Sequence, residues 1–253
     1  YCLYYYYWLL NIDKNKLMTD WKQYGPIYTI APGIKKLGKL SIIEFDNEEE
    51  RYLKLKKKSK ENIYYDNLYD NKIDGKIVQK IKSILSQEYP NKNIAFQNFK
   101  EIGYSIQEDI AIFHRSNKLI GLHVSFPSLW IPKEKIGMSF SAIHQPVPGM
   151  EKIIENEKKY VDMMINAEQP IVRYVWGEHF SYLLSPLEPI DKGSKVIHTE
   201  RQTFIGMPED DLGIFLIKKK VMLFDDTDIE FQQWYKNQII SMSEDQKKYK
   251  IGI

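Results

Sequence analysis

Cysteine is nearly absent from the chain, which has 253 residues and the one cysteine Cys2. An internal disulfide is therefore excluded, as is a zinc or iron–sulfur site built from thiolates of this chain alone. A reducing compartment fits this composition, so we expect a cytoplasmic protein. No apolar run approaches the roughly 20 residues that a membrane-spanning helix needs.

The first ten residues are apolar and rich in tyrosine, but they lack the basic leader and the cleavage site of a signal peptide. Met18 would make a suitable start for the folded protein. We therefore expect residues 1–17 to be an extension, either a translated upstream stretch or a disordered segment, with an interfacial anchor as the alternative. Residues 18–253 are expected to form a single domain, because no repeat or long low-complexity linker divides them.

The motifs of common cofactor and hydrolase sites are also missing. The chain has no glycine-rich dinucleotide turn, no phosphate-binding loop, no H-E-x-x-H and no C-x-x-C. Its five histidines are scattered, and Ser128 lacks the context of a nucleophile elbow. The sequence therefore indicates neither a nucleotide-dependent enzyme, nor a zinc hydrolase, nor a serine hydrolase.

An excess of either sign of charge is missing as well. The chain has 36 basic and 34 acidic residues and a net charge of +2. Such a balance gives no basic footprint for nucleic acid. The exception is the lysine-rich run at residues 54–60, which we interpret as the solvated face of a helix.

The apolar pattern predicts helices interspersed with antiparallel strands. A regular alternation of strand, helix and strand is missing, which indicates the α+β class. Strands are predicted at residues 27–30, 40–45, 110–113, 119–126, 171–176, 196–204 and 213–224, with a hairpin turn at 115–118. Helices are predicted at residues 46–60, from Asp74 to before Pro90, at Pro132, over 153–165 and over 227–242.

One segment, from Phe126 to Met150, is more informative than the rest. It contains His144 beside a stretch stiffened by Pro146 and Pro148, whose rings fix the backbone angle φ. Such a loop can hold one side chain in a set direction without a helix. From the residues alone, a histidine in a tight loop bonds to backbone more often than to a metal, so both interpretations stay open.

The same segment resembles the heme-dependent oxidative N-demethylase family, and the resemblance covers nearly everything from about Trp21 to the end. Further matches flank it in the family's order. The matching motifs are Gln107-Glu108-Asp109, Phe126-Pro127-Ser128-Leu129-Trp130, Glu134-Lys135-Ile136-Gly137, Ile143-His144-Gln145-Pro146-Val147-Pro148, Arg173-Tyr174-Val175-Trp176 and Glu200-Arg201-Gln202-Thr203, with Tyr249-Lys250 near the end.

The resemblance implies a PAS-like antiparallel sheet wrapped by additional helices, which binds heme b. The implied activity is that of a monooxygenase, which demethylates a small secondary amine with dioxygen and external electrons and releases formaldehyde. With one cysteine and no nucleotide motif, the chain cannot collect electrons from NADPH itself, so separate reductase subunits with FMN and an iron–sulfur centre are implied. A PAS-type heme sensor or a non-catalytic binding module is the alternative.

Under this resemblance His144 is the axial ligand of the iron, because a heme iron needs a fixed neutral imidazole in an apolar setting. His123 is the runner-up, although its place in a predicted strand equally suits an ordinary strand face. Arg173 and Lys135 are candidates for the heme propionates, since cationic side chains pair with carboxylates. Lys135 could also be a solvated helix residue.

Three carboxylates are candidates for the amine pocket. Glu108 and Asp109 could pair with the substrate ammonium, or could cap the end of a strand. Glu200 and Arg201 lie on one predicted strand with side chains on opposite faces, and could line the heme or amine pocket or form a structural ion-pair network. Trp176 is a further cofactor-binding candidate that equally suits the core.

The chain departs from the family pattern at Val175, which occupies the position of the family's asparagine in the motif that begins at Arg173. If that asparagine orients substrate or oxygen, this protein could bind heme and still differ in substrate or activity.

Overall fold

A computed structural model of the chain describes residues 21, 24–30, 33–59, 63–65, 73–128 and 130–251. The expected extension at residues 1–17 and the cysteine Cys2 lie outside these residues. The chain divides into two compact units. The larger unit comprises Ile30–Val175 and Glu200–Lys219, and the smaller unit comprises the described residues of Tyr1–Thr29, Trp176–Thr199 and Lys220–Ile253.

An antiparallel sheet and flanking helices give the protein an α+β fold, as predicted. The strands follow one another across the sheet in the order β1-β5-β6-β7-β3-β4-β2. The strand bounds are β1 Lys35–Lys36, β2 Ile63–Tyr65, β3 Asp109–His114, β4 Lys118–His123, β5 Ile171–His179, β6 Val196–Met207 and β7 Leu212–Leu223.

Most of the described helices are short. A π-helical turn at Ile73–Ile77 leads into the second helix, and 3-10 turns lie at Pro132–Lys135, Pro208–Asp210 and Phe224–Asp226. The α-helices are α1 Glu49–Lys58, α2 Val78–Glu88, α3 Phe99–Gly103, α4 Phe140–His144, α5 Glu151–Ile154, α6 Glu157–Ile165, α7 Ile229–Ser241 and α8 Glu244–Ile251.

In the larger unit both faces of the sheet are covered. Alternate residues of the strands point to opposite faces, so each face has a separate apolar core. The first core joins the sheet to α2 and α3 and includes Ile81, Phe99, Ile102, Ile110, Ile112, Ile205, Ile214 and Leu216. The second core joins it to α4, α5 and α6 and includes Ala111, Phe113, Leu122, Val124, Phe140, Met150, Ile165 and Phe204, with Ile143, Val147 and Phe215 packed against it.

Strand register fixes which side chains meet at the start of β3. Asp109 pairs with Ile217 of β7, and Ile110 pairs with both Leu216 of β7 and His123 of β4. At the other end, the β3–β4 turn places Asn117 in the left-handed region at φ 62°. The predicted hairpin is therefore confirmed, as are the strands predicted at residues 171–176, 196–204 and 213–224.

The strands predicted at residues 27–30 and 40–45 are wrong, because the structure assigns no strand to either segment. In the second segment, side chains satisfy the backbone donors that a neighbouring strand would otherwise bind. The Glu88 carboxylate accepts from the amides of Ile42 and Ile43 at 2.6 and 3.2 Å, and Glu108 accepts from the amide of Glu44 at 2.7 Å. The β-branched residues Ile42 and Ile43 therefore did not suffice to predict a strand here.

The lysine-rich run is a solvated helix face only in part. Lys54, Lys57 and Lys58 are exposed on α1, but Lys56 is fully buried. None of the described helices is both long enough and apolar enough to cross a membrane.

Candidate functional site

His144 is the last residue of α4, a five-residue helix, and not part of a loop as predicted. Ser139 caps the start of the helix, since its hydroxyl accepts from the amide of Ala142 at 3.2 Å. The chain then turns at once, because the Val147 amide donates to the His144 carbonyl at 2.9 Å. The segment with Pro146 therefore ends the helix, and the helix itself sets the direction of the imidazole.

The His144 ring is held on two sides by Phe140, one helical turn earlier. Its Nδ1 donates to the Phe140 carbonyl at 2.8 Å, and the two rings stack with centroids 4.2 Å apart and planes 30° apart. Within the described part of the chain, the structure records no hydrogen bond to the other ring nitrogen, Nε2. The side chain is partly exposed. His144 therefore presents one fixed nitrogen with an available lone pair.

The surroundings of His144 keep its imidazole neutral. Burial lowers the pKa of His144 to about 4, while the hydrogen bond to the Phe140 carbonyl works in the opposite direction. The positive charges of Arg173 and Lys135 lower this pKa further. Both predicted propionate partners thus lie close enough to act on the predicted ligand.

These features fit a heme. A neutral histidine whose Nδ1–H is fixed by a backbone carbonyl is the usual form of a metal-binding imidazole, with Nε2 left for the iron. The apolar neighbours Ile143 and Val147 pack against the second core, and the cations Arg173 and Lys135 suit carboxylates. Among the described residues, no group of three or more His, Cys, Asp or Glu side chains could hold a metal ion by itself.

His123, the runner-up ligand, lies on the opposite face of the sheet. Its neighbours Leu122 and Val124 point into the second core, so the ring of His123 points toward α3. There it packs edge-on against Tyr104 at 4.8 Å and fills the space beside Gly103. The structure therefore does not bring the two candidate histidines together.

The His123 ring is fully buried, and neither of its nitrogens has a partner among the described residues. Burial lowers the pKa of His123 to about 3, and the positive charges of Lys56 and Lys100 act in the same direction. The ring is neutral at physiological pH. Because a Cβ atom on Gly103 would overlap it, the ring has no room for a metal on that side.

Asp109 and Glu108 belong to a buried polar network at the start of β3. Asp109 accepts from the amides of Ser125 and Phe126 at 3.0 and 2.8 Å and lies 3.3 Å from the Lys56 ammonium. Burial raises the pKa of both carboxyl groups and lowers that of Lys56. These contacts favour the structural role considered for the pair, and a role in the amine pocket stays a prediction.

Arg201 also joins this network, through the segment before α1. Its guanidinium donates to the carbonyls of Ser41 and Ile42 and lies 3.4 Å from the Glu44 carboxylate. The ammonium of Lys218 bonds to the Glu44 carbonyl at 3.2 Å. The face opposite His144 thus contains most of the buried ion pairs of the larger unit that the structure describes.

Glu200 lies on the His144 face of β6, because it alternates with Phe204 of the second core. Its carboxylate accepts from the Ser128 hydroxyl at 2.7 Å and from the Gln202 amide group at 2.8 Å. All three side chains are partly exposed. The predicted carboxylate and Ser128 of the Phe126–Trp130 motif therefore meet, although sequence reasoning had not joined them.

Trp176 belongs to the smaller unit and lies in its aromatic core. Its ring lies 5.5 Å from that of Trp234 and 5.7 Å from that of Tyr235, and its carbonyl accepts from the Lys250 ammonium. These contacts suit the core role, and cofactor binding by Trp176 stays a prediction.

A cavity of about 490 Å³ opens within the smaller unit, beside α7. Glu178 lies in its wall, where it accepts from the Tyr235 hydroxyl and lies 3.5 Å from the Lys195 ammonium. Burial raises the pKa of Glu178, against the effect of these two partners. None of the site residues predicted from the sequence lines this cavity.

Sequence reasoning missed three buried lysines of the larger unit, Lys56, Lys218 and Lys219. A signal was present for two of them. Residues 218–220 are consecutive lysines inside a predicted strand, so alternation places Lys218 and Lys219 on opposite faces of the sheet. What the sequence could not show was that helices cover both faces.

Comparison with known proteins identifies the family of the chain. The family model described as "Haem-dependent oxidative N-demethylase, alpha subunit-like" matches residues 50–252. No curated protein matches the chain. The matched range includes every residue predicted for the site.

Proposed function

Because this chain belongs to the heme-dependent oxidative N-demethylase, alpha subunit-like family, we propose that it binds heme b through His144 and demethylates a small secondary amine. The observation that supports this most is the state of the imidazole. His144 is neutral, its Nδ1 is fixed by the Phe140 carbonyl at 2.8 Å, and positive charges from Arg173 and Lys135 lie near it. One site would thereby supply an iron ligand and two propionate partners.

The proposed reaction removes one methyl group as formaldehyde. A secondary amine, dioxygen, two electrons and two protons give the primary amine, formaldehyde and water. When bound, the heme supplies oxygen activation, and the protein supplies position and electrostatics. His144 would hold the heme iron, and Arg173 and Lys135 would neutralise the heme propionates.

Glu200 is the carboxylate best placed to hold the substrate ammonium. It is partly exposed, on the His144 face, and its orientation is set by Ser128 and Gln202. Asp109 already accepts two backbone amides and pairs with Lys56. We therefore assign ammonium binding to Glu200, with Asp109 and Glu108 as supports of the sheet beneath it.

Electrons would come from other subunits, because the chain has one cysteine and no dinucleotide motif. The family description, an alpha subunit, supports an assembly with other chains. We propose reductase partners that use NADPH, FMN and an iron–sulfur centre. In this assembly residues 18–253 would act as one heme-binding domain.

Heme reconstitution followed by turnover tests the proposal. The apoprotein is titrated with hemin, and its Soret band is recorded; the reduced protein is then given dioxygen and dimethylamine with a chemical reductant. We expect a stoichiometric Soret band and one formaldehyde for each methylamine formed. Absence of the Soret band would remove both the heme and the enzyme assignments.

The second candidate is a PAS-type heme sensor without turnover, and Val175 is the observation that favours it. An aliphatic side chain here cannot make the hydrogen bonds of the asparagine that the family pattern places in this motif. A protein that binds hemin stoichiometrically but releases no formaldehyde would support this candidate. Restored release in the Val175→Asn variant would then identify this position as the cause.

A further inference from the structure

Lys219, the last residue of the part of β7 that belongs to the larger unit, is a buried lysine that contacts no counterion among the described residues. Its side chain is 2% exposed. Its ammonium has no hydrogen-bond partner among the residues that the structure describes. Burial lowers the pKa of Lys219, and the negative charges of Glu200 and Asp109 act in the opposite direction.

The other two buried lysines of the larger unit have the acceptors that Lys219 lacks among the described residues. Lys56 bonds to the carbonyls of Gly103 and Glu108 and pairs with Asp109, and Lys218 bonds to the Glu44 carbonyl and pairs with Asp46 at 3.2 Å. Both are satisfied by this chain alone. A buried ammonium without such acceptors costs several kcal/mol, so proteins seldom keep one without a partner.

The two carboxylates near Lys219 are already engaged with other donors. Asp109 accepts from two backbone amides and faces Lys56, and Glu200 accepts from Ser128 and Gln202. Neither makes a hydrogen bond to the Lys219 ammonium. The described residues therefore supply no acceptor to the Lys219 ammonium, and a bound molecule can supply one.

Lys219 points to the same face of the sheet as His144. Residues 215, 217 and 219 of β7 alternate onto one face. Phe215 packs against the second core, as Ile143 and Val147 also do. Glu200, whose negative charge acts on the Lys219 ammonium, is partly exposed on this face.

We propose that Lys219 binds a carboxylate of the ligand that occupies the His144 face of the sheet. This inference rests on the proposed function for the identity of that ligand. Two carboxylates are available there: a heme propionate, or a carboxylate on the amine substrate, which would make the substrate an N-methyl amino acid. Both sources present the same acceptor to Lys219.

Titrations with hemin and with its dimethyl ester test whether Lys219 binds a heme propionate. The apoprotein is titrated with each, in the wild type and in Lys219→Met, which keeps the length of the side chain and removes its charge. If Lys219 binds a propionate, Lys219→Met loses about 10- to 100-fold in hemin affinity, as for a hydrogen bond between charged groups, and less for the ester. Lys219→Arg should keep most of the preference for free hemin.

Titrations with N-methylglycine and with dimethylamine test whether Lys219 binds a carboxylate on the substrate. Each is titrated into the heme-loaded protein, and binding is followed by the change in the Soret band, without turnover. If Lys219 binds the substrate carboxylate, the wild type prefers N-methylglycine, and Lys219→Met loses that preference with unchanged hemin affinity. Lys54→Met, at an exposed lysine of α1, is the control and should behave as wild type in both titrations.

The proposal is overturned if the wild type distinguishes neither hemin from its ester nor N-methylglycine from dimethylamine, a result that needs no variant to fold. It is equally overturned if Lys219→Met folds and binds all four molecules as the wild type does. Failure of the wild type to bind hemin would refute the proposed function but would not decide the role of Lys219. In that case sodium acetate, compared with sodium chloride, should still raise the melting temperature of the wild-type apoprotein more than that of Lys219→Met, and equal shifts would reject the anion site.

Discussion

The Nδ1–H of His144 donates to the main-chain carbonyl of Phe140, one helical turn earlier, over 2.8 Å. This bond determines which ring nitrogen remains for a ligand, because a neutral imidazole has one donor and one acceptor. We expect His144→Ala to abolish the ferric heme spectrum and His123→Ala to keep most of it. Visible spectra after hemin reconstitution check this, and the reverse pattern would make His123 the ligand.

The cap of α4 should affect heme binding as well as stability. Ser139→Ala removes the side chain that accepts from the Ala142 amide, at a cost of about 1 kcal/mol. Since α4 directs the imidazole, hemin affinity should fall too. Asn98→Ala is the matched control, because Asn98 caps α3 by the same contact with the Glu101 amide at 2.9 Å.

Urea denaturation and hemin titration of both cap variants separate the two effects. We expect similar losses of stability and a loss of hemin affinity in Ser139→Ala alone. Equal hemin affinities in the two variants would show that α4 does not direct the ligand.

Arg173 and Arg201, both predicted to bind cofactor, should respond differently to the same change. Arg173 acts electrostatically on His144, so Arg173→Gln should weaken hemin binding. Arg201 is 2% exposed and binds the carbonyls of Ser41 and Ile42, so Arg201→Gln should mainly lower stability, by about 3 kcal/mol. If Arg201→Gln lost hemin affinity at unchanged stability, Arg201 would bind the cofactor after all.

His144 could be chosen as a candidate from the sequence because its signal is local. Backbone restriction by Pro146 and Pro148 is written in the sequence, and so is the motif around it. The helix that ends at His144 was missed since five residues are too few for a helical period. Its one signal was Ser139, a capping residue three positions before Ala142.

The partners of buried charged groups could not be predicted in the same way. Arg201 finds its acceptors at Ser41 and Ile42, about 160 positions earlier in the chain. Lys56 is buried because residues from α3 and the start of β3 surround its ammonium. Such contacts depend on how distant segments pack, which neither periodicity nor charge patterning contains.

The fit between Gly103 and His123 predicts a strong effect from a single methyl group. A Cβ atom on Gly103 would overlap the His123 ring, whereas one on Gly75 would meet no atom of the described residues within 4 Å. Gly103→Ala should therefore destabilise the protein by about 1–3 kcal/mol, and Gly75→Ala should be neutral or slightly stabilising. Thermal melts of both variants test this, and equal melting temperatures would contradict the packing described.

The buried ring of His123 should make stability depend on pH. Its pKa is about 3 in the folded protein, against an ordinary value of 6.5. Between these values the unfolded chain takes up a proton that the folded protein does not. The contribution of the neutral His123 ring to the free energy of unfolding is therefore complete above pH 6.5. It is lost as the pH falls toward 3, by roughly 1.4 kcal/mol for each pH unit.

His123→Leu removes this group at nearly constant volume. Because neither ring nitrogen has a partner among the described residues, the variant should be as stable as the wild type at pH 7. It should then lose less stability than the wild type when the pH falls from 7 to 5, as measured by urea denaturation of the apoproteins. His144 contributes equally to both proteins, so the difference between the two slopes reports His123 alone, and parallel slopes would mean that the folded ring takes up its proton at an ordinary pH.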